Sequence, residues 1–563
     1  MESGFEFDVV VLGSGAAGLT AGLAAAQQGA TVGLFEKADV LGGSSAISGG
    51  VPWIPLNHHQ DEAGVADSRE DALAYLDSLS LGRMDPAMAE TFVDNGRATI
   101  EWLEDTTAAS FTLLPRYPDY HPENPGGRPD GGRSLDPGLF CYAELGAWQD
   151  RVARSKRSAH LKITDTTLGG GTGHLPEEEM QRRIDLDLRG CGNALVGPII
   201  KALLDLGVEP VVNARALDLL VENGRVAGVR LEIDGEKRVV RARRGVVLAT
   251  GGFEWNTDLV SEFLRGPMTA PTSVPTNTGD GLLMAMRVGA RLANMGQAWW
   301  VPAVRIPGDT AFGEPRSNLV NRERTLPGSI MVNSAGRRFT NEASNYNALG
   351  GAFHQLDPVT FTYANLPAWL VFDHAHAERY GTFGAPAGTP VPEWVTSADS
   401  VRDLADTLGI DAEGLERTIE RWNGFVAQDH DDDFRRGDSA YDRWSGDGDH
   451  RFTTASTLGP IATAPFYAVP VESGTLGTSG GPRTDASGHV LDTHLVPIPG
   501  LFAAGNVAAA PTAMAYGGAG GTLGPILVFG RLAGLAAAQE PEWPALSEDE
   551  LDDVAGVLRP TLG

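Results

Sequence analysis

Unbroken apolar runs, separated by glycine clusters, set the plan of this chain. Val9-Val10-Val11-Leu12 is apolar throughout, the pattern of a strand buried on both faces of a parallel sheet. An Ala-rich helical stretch from Ala16 to Gln28 follows, then a second strand from Thr31 to Phe35, which completes a βαβ unit. Gly245-Val246-Val247-Leu248-Ala249 predicts another buried parallel strand. Between these runs, residues 85–105 show helical amphipathic spacing and Gly192 to Leu206 reads as a helix. Val208 to Asn213 reads as a strand entry. Val226–Leu231 and Lys237–Ala242 read as antiparallel strands around the turn Asp234-Gly235. Residues 114–140 are rich in Pro and Gly, and residues 155–185, polar and centred on Gly169-Gly170-Gly171, predict an inserted loop.

Patterning changes twice along the chain. From about 286 to 461 there are more aromatic and charged residues and looser periodicity, and from about 462 the Gly-rich strand–loop–helix style returns. The reading is an α/β, Rossmann-like dinucleotide domain split in sequence (1–285 and 462–563) with an α+β domain inserted at 286–461. No internal repeat is visible.

Composition narrows the function classes. The chain has 563 residues, 42% hydrophobic and 21% charged, as in a globular protein. Its 71 glycines stand in defined clusters, which points to close backbone–ligand approach. The formal charge of −29 repels phosphate backbones, so nucleic acid is excluded as a partner. Cys141 and Cys191 form no CxxC pair and read as small apolar residues in a reducing compartment. The short acidic N-terminus has no basic n-region or cleavage site, and no uncharged apolar run reaches membrane-spanning length. A cytoplasmic location is expected. The twelve histidines are scattered, with no metal-ligand spacing, so no metal site is predicted.

The chemistry enters at the first turn. Gly13-Ser14-Gly15-Ala16-Ala17-Gly18 follows the first strand and opens the helix. Gly13 permits the tight turn, Gly15 admits a pyrophosphate, and Gly18 lets helix and strand pack closely. The helix N-terminus supplies amide donors. Glu36 ends the second strand, placed to accept from a ribose diol, with Lys37 beside it. FAD is preferred over NAD because further small-residue segments follow: Gly42-Gly43-Ser44-Ser45, Ser48-Gly49-Gly50, Ala249-Thr250-Gly251-Gly252, Asn277-Thr278-Gly279-Asp280, Gly505-Asn506 and Gly520-Gly521-Thr522-Leu523. Ala214 joins the predicted cofactor contacts. The last segment opens a helix whose N-terminus suits the negative charge of a reduced flavin.

Together these segments resemble the fumarate reductase/succinate dehydrogenase flavoprotein superfamily, over nearly the whole chain. The resemblance implies an FAD domain closed by a capping domain. No His lies near Ser44-Ser45, so noncovalent FAD is expected. Within the superfamily, the dicarboxylate branch needs arginine clamps, and the ketone branch needs neutral donors. Tyr516-Gly517-Gly518-Ala519-Gly520 resembles the tyrosine-to-glycine segment of 3-ketosteroid Δ1-dehydrogenases. That resemblance implies that Tyr516 and the Gly520 N–H hold a ketone oxygen. Pro327 to Tyr346 resembles the capping-domain segment that carries the catalytic base, Tyr346 here. Tyr117-Pro118-Asp119-Tyr120 with Pro125-Gly126-Gly127-Arg128 resembles the loop with a supporting tyrosine, Tyr120, with Tyr117 the second choice. Ala298-Trp299-Trp300 also matches.

The implied reaction removes an α-proton and a β-hydride beside a ring ketone, the hydride going to flavin N5. Electrons then leave to a quinone or protein acceptor. Gly517-Gly518-Ala519 replaces the prolines usual in this segment, which predicts a looser loop and leaves both a steroid and a smaller cyclic ketone such as cyclohexanone open as substrate. A fumarate-reductase-like ene-reductase is the alternative, with Arg337 and Arg338 as a conceivable clamp. Their context instead marks them as structural ion-pair partners, and Tyr467 as structural. A non-catalytic flavin carrier is disfavoured because it needs no capping domain.

Overall fold

The computed structural model describes residues 5–155 and 159–543. Parts of the expected segments (1–4, 156–158 and 544–563) lie outside these residues.

Two seven-stranded sheets organise the molecule. The first has the order Val32–Phe35, Phe5–Leu12, Glu236–Leu248, Pro497–Ala503, His489–Leu491, with the first four strands parallel. A hairpin of Ala214–Glu222 and Arg225–Ile233 extends from Glu236–Leu248. Helices Ala16–Gln27, Cys191–Asp205 and Leu523–Gln539 cover this sheet. The apolar run Val9–Leu12 is fully buried because helices lie on one face and the hairpin side on the other. The helices Ala16–Gln27 and Leu523–Gln539 pack at backbone distance. A Cβ on Gly534 would lie 2.1 Å from the Ala21 carbonyl oxygen. This is the Rossmann-like FAD-binding architecture with an α+β insertion.

The second sheet is mostly antiparallel: Glu314–Leu319, Ala298–Ala311, Phe466–Thr478, Ala368–Asp373, Ser329–Asn333. Its residues alternate between two cores, as a pleat of period two requires. Met331, Leu370, Phe372 and Val469 face one core. Ile330, Val332, Val371 and Ala468 face the helices Val401–Leu408 and Ala412–Ala427.

Four features differ from the sequence reading. Phe466–Thr478 lies at the centre of the second sheet, and Ala270–Pro271 pairs with it, so the sheet reaches beyond 286–461 on both sides. The return to the first sheet comes at His489, not at 462; apolar patterning cannot say which sheet a strand joins. Gly245–Ala249 is no separate strand, being the end of the 13-residue strand Glu236–Leu248. Val208–Asn213 makes a single bridge, Val211 to Phe35. Within 155–185, Glu177–Asp185 is helical, and its Arg183 pairs with Asp165 at 2.6 Å and Glu179 at 2.7 Å. Among the described residues no helix is long and apolar enough to cross a membrane.

Candidate active site

Two connected hollows lie between the sheets. A narrow cleft of about 100 Å³ runs over the end of the first sheet. A cavity of about 570 Å³ continues from it, sharing Ser44, Ser45, Asn506 and Ile526.

The cleft is lined by Gly13, Ser14, Gly15, Ala16, Ala17, Glu36, Lys37, Gly43, Ser44, Ser45, Ala214, Ala249, Thr250, Gly251, Asn277, Asp280, Gly505 and Asn506. Gly13 takes φ +102°, and a Cβ there would lie 2.3 Å from the Ala249 carbonyl oxygen. By contrast, a Cβ on Gly15 would meet only Ser45 Oγ at 3.7 Å, and one on Gly43 only Gly15 Cα at 3.9 Å. Those two backbones face each other across open space. Glu36 Oε2 accepts from Ser14 N (2.9 Å) and Ser14 Oγ (2.6 Å), which fixes the carboxylate at the end of its strand. Lys37 and Arg215 hold Asp280 at 2.8 and 3.0 Å, and together they keep its carboxyl below its usual range against the effect of burial.

Three predicted glycines do not line either hollow. Gly18, Gly252 and Gly279 act in packing: a Cβ on Gly18 would lie 1.9 Å from the Gly13 carbonyl oxygen, and one on Gly252 would strike Glu254 and Thr478 at 2.3 Å. Ser48, Gly49 and Gly50 line the larger cavity, as do Thr522 and Leu523, and Gly521 borders a small adjoining hollow with Thr522. The N–H groups of Gly520, Thr522 and Leu523 have no protein acceptor among the described residues. An elongated cleft with bare backbone at the pyrophosphate turn, opening into a cavity under a helix N-terminus, fits an FAD molecule.

The larger cavity gathers Tyr120, Tyr346, Tyr516 and Gly520, residues spread over four hundred positions. The hydroxyls of Tyr346 and Tyr516 are 2.8 Å apart. Tyr120 stacks on Tyr516 at 5.4 Å and 13°, and meets Tyr346 edge-on at 5.4 Å. Trp299 closes the other side of Tyr516 at 5.4 Å and donates to Asn506 at 3.3 Å. Burial raises the Tyr346 and Tyr120 hydroxyls well above the ordinary phenol range. Tyr516 is raised by burial too, with donation from Tyr346 and Thr522 opposing the rise.

The segment Tyr516–Gly520 is not loose, contrary to the expectation drawn from its missing prolines. The Gly517 carbonyl accepts from Tyr120 N (2.9 Å) and Tyr75 Oη (2.6 Å). The Ala519 carbonyl accepts from Ser134 Oγ (2.9 Å), and the Gly520 carbonyl from Trp53 N (3.1 Å). A Cβ on Gly517 or Gly518 would strike the Trp53 ring at 2.7 or 2.6 Å, so glycine here permits close packing. Trp53 Nε1 in turn donates to buried Asp119 (2.8 Å), which pairs with Arg133 at 2.9 Å.

The sequence reading missed Tyr441, Trp444 and Trp53. Tyr441 meets Tyr120 at 4.9 Å and Tyr117 at 6.5 Å. It lies on the short helix Ala440–Ser445, in a stretch with no glycine cluster to draw notice. Arg154 and Arg316, the charged residues lining the cavity, were not singled out either. Arg338 is buried in an ion-pair network with Glu342 (2.7 Å) and Asp431 (2.9 Å), and Arg337 is exposed; neither lines this cavity.

Residues 8–523 match the family described as FAD binding domain. The chain belongs to this family of FAD-binding flavoproteins. It is 41% identical over 561 residues to the 4-oxocyclohexanecarboxylate 2-dehydrogenase of Sinomonas cyclohexanicum, covering 98% of this chain and 96% of that one. It is 38% identical over 571 residues to a 3-oxosteroid 1-dehydrogenase of Mycobacterium tuberculosis, covering 95% and 99%. The crystal structure of 3-ketosteroid delta1-dehydrogenase from Sterolibacterium denitrificans, in complex with 1,4-androstadiene-3,17-dione, superposes with a TM-score of 0.87 at 32% identity, covering 95% and 99%. This flavoprotein is thus a 3-ketosteroid Δ1-dehydrogenase-like member of its superfamily. It is an FAD-dependent oxidoreductase acting on CH–CH groups, a dehydrogenase of the steroid or cyclic-ketone type.

Proposed function

We infer that this flavoprotein introduces an α,β double bond beside a ring ketone, with Tyr346 as the base. The 2.8 Å contact between the Tyr346 and Tyr516 hydroxyls carries the reading. Two phenols that close can serve adjacent atoms of one substrate. Tyr516 Oη and the unpaired Gly520 N–H hold the ketone oxygen, where charge builds as the α-proton leaves. Tyr346 takes that proton, and the electron pair of the C–H bond moves toward the carbonyl. Tyr120, touching both rings, supports the base by hydrogen bonding. Bound FAD supplies the two-electron acceptor for the hydrogen lost from the β-carbon. The cleft residues from Gly13 to Asp280 hold its dinucleotide part, and Gly49, Gly50, Thr522 and Leu523 its ring system. Residues 270–478 close the cavity from the second sheet, and the electrons pass on to a quinone or a protein.

A second, narrower reading is a small ring ketone bearing a carboxylate, such as 4-oxocyclohexanecarboxylate: the charged residues lining the cavity are both arginines, Arg316 and Arg154, the latter also paired with Asp150. Anaerobic mixing of the yellow protein with a 3-ketosteroid, cyclohexanone, 4-oxocyclohexanecarboxylate and succinate tests both. Bleaching of the flavin by a ketone supports the dehydrogenase, and the fastest ketone identifies the substrate class. Bleaching by succinate alone moves the protein to the dicarboxylate branch and removes the tyrosines from the mechanism.

A further inference from the structure

Two adjacent histidines share one carboxylate away from the cleft and the cavity. The short helix His58–Ala63 opens with His58 and His59, and Glu104 lies in the last turn of the long helix Pro86–Thr106. His58 Nε2 is 2.8 Å from Glu104 Oε2, and His59 Nε2 is 3.1 Å from Glu104 Oε1. The two imidazole centroids are 4.0 Å apart. The three side chains are 18%, 14% and 19% exposed, so an ion from solvent can reach them. No lysine or arginine pairs with Glu104 among the described residues. The carboxylate also sits at the negative end of its helix, a place that favours a cation.

Neutral histidine does not satisfy this arrangement. Its single N–H serves one ring nitrogen and leaves a lone pair on the other. His59 Nε2 faces Glu104 and its Nδ1 faces Glu62 at 3.5 Å, so in either tautomer a lone pair meets a carboxylate. A metal ion on Nε2 removes the conflict: the lone pair binds the ion, and Nδ1–H is left to donate toward Glu62, the usual second partner of a metal-bound imidazole. A second proton on the ring is the competing remedy, which a metal ion would displace. His58 Nδ1 is buried without a partner, which leaves Nε2 as its working nitrogen. Glu104 Oε1 is steadied by the Phe111 N–H at 2.8 Å. The two ligand nitrogens and a carboxylate oxygen lie within 4.8 Å of one another. Tetrahedral zinc, with bonds of roughly 2.0–2.2 Å, sets its ligand atoms roughly 3–4 Å apart, so small side-chain adjustments suffice.

We propose that His58, His59 and Glu104 form a binding site for a divalent transition-metal ion, zinc being the best match. Two imidazoles and a carboxylate suit zinc, whereas magnesium and calcium take oxygen ligands. Water completes the fourth position. The three ligands line neither hollow, so the ion acts as a structural clamp joining the helix His58–Ala63 to the end of Pro86–Thr106. Trp53, shortly before His58, already stacks on Phe92 of that long helix at 6.1 Å and 21°. The clamp thereby secures the segment on which Gly517 and Gly518 rest. Histidine spacing alone does not reveal the site, because Glu104 stands 45 positions beyond His59.

The test uses the full FAD-loaded chain, stripped with EDTA, dialysed against zinc and desalted. Elemental analysis should find a single zinc ion retained per chain, and the thermal midpoint should rise with added zinc. Glu104→Gln and His59→Ala should each weaken zinc binding by roughly a hundredfold or more, beyond the usual cost of losing a residue that only supports a ligand, and should abolish the rise in midpoint. Magnesium in place of zinc should not raise it. Zinc retained equally by wild type and both variants, or no zinc retained at all, overturns the proposal. Where the variants do not fold, cobalt(II) added to the wild type decides: d–d absorption that saturates at one equivalent and is displaced by zinc supports the site, and its absence overturns it.

Discussion

Removing a single oxygen, Tyr346→Phe, separates chemistry from structure at this site. The phenyl ring retains its edge contacts with Tyr120 at 5.4 Å and Tyr516 at 5.6 Å, so the aromatic packing survives. What is lost is the 2.8 Å hydroxyl pair, leaving the Tyr516 hydroxyl without that partner. Loss of one buried hydrogen bond costs about 0.5–1.5 kcal/mol of stability, and up to about 3 kcal/mol if the orphaned group stays dry. A positioned general base contributes roughly 10²–10⁴ in rate, or about 3–5 kcal/mol of barrier. Tyr346 lines the larger cavity and not the dinucleotide cleft, so the bound FAD should remain stoichiometric. The assay is the anaerobic bleaching rate with a saturating ketone, alongside the flavin-to-protein absorbance ratio. A drop of roughly a hundredfold or more with full FAD content is expected. Turnover within about threefold of wild type would refute the reasoning, because a lost base cannot be that cheap. Tyr516→Phe should also lose roughly 10²–10³, the usual cost of one donor to a developing oxyanion.

Other expectations follow from packing, burial and the cofactor walls. Neither His nor Cys lines the cleft or the cavity, so acid precipitation should release all the flavin as free FAD; yellow colour retained in the pellet would show a covalent link. Gly517→Ala places a Cβ 2.7 Å from the Trp53 ring and should displace the Tyr516–Gly520 segment, lowering bleaching rate more than FAD content; an unaffected rate would count against the anchoring described above. Burial pushes Tyr441 from 10.0 up to about 12, so the native state keeps a proton that the unfolded chain releases. The stabilising contribution is full below pH 10 and is lost as pH rises toward 12, about 3 kcal/mol for this group alone. Denaturant midpoints at about pH 8 and about pH 11 should therefore differ clearly, and equal midpoints would contradict the burial assignment.

The cofactor half of the site was legible because backbone geometry demands glycine at set places. Gly13 must hold φ +102° against Ala249, and Gly18 must meet Gly13, so the residue types announce the fold locally. Tyr346 and Tyr516 were legible by resemblance, since their neighbours repeat a family pattern. Tyr441 was not, because its place comes from tertiary contact with Tyr120, more than three hundred positions away. Sheet membership was hidden for the same reason: Phe466–Thr478 reads as any half-buried strand until its partners Ala298–Ala311 and Ala368–Asp373 are in place. The helix at Glu177–Asp185 escaped notice because its exposed, charged surface lacks an apolar stripe, its order resting on Arg183 pairing.

The missing prolines between Tyr516 and Gly520 bear on substrate choice in a way the residues alone do not suggest. Proline rigidifies a segment by restricting φ, and its absence predicts a loose loop that would tolerate smaller ligands. Here the same restriction comes from outside: three carbonyls of the segment accept from Tyr120, Tyr75, Ser134 and Trp53, and two glycines rest on the Trp53 ring. The segment is therefore held in place without prolines, and looseness gives no reason to prefer a small substrate. On the proposed reading, discrimination falls to the remaining walls. A fused-ring steroid would have to lie along a cavity lined by two guanidinium groups without offering either an acceptor of opposite charge. A carboxylate on a single ring would be drawn to that charge, at Arg154 in competition with Asp150. On the proposed reading, substitution of Arg154 and Arg316, and not change in the tyrosine segment, is what should shift the preference between ketones.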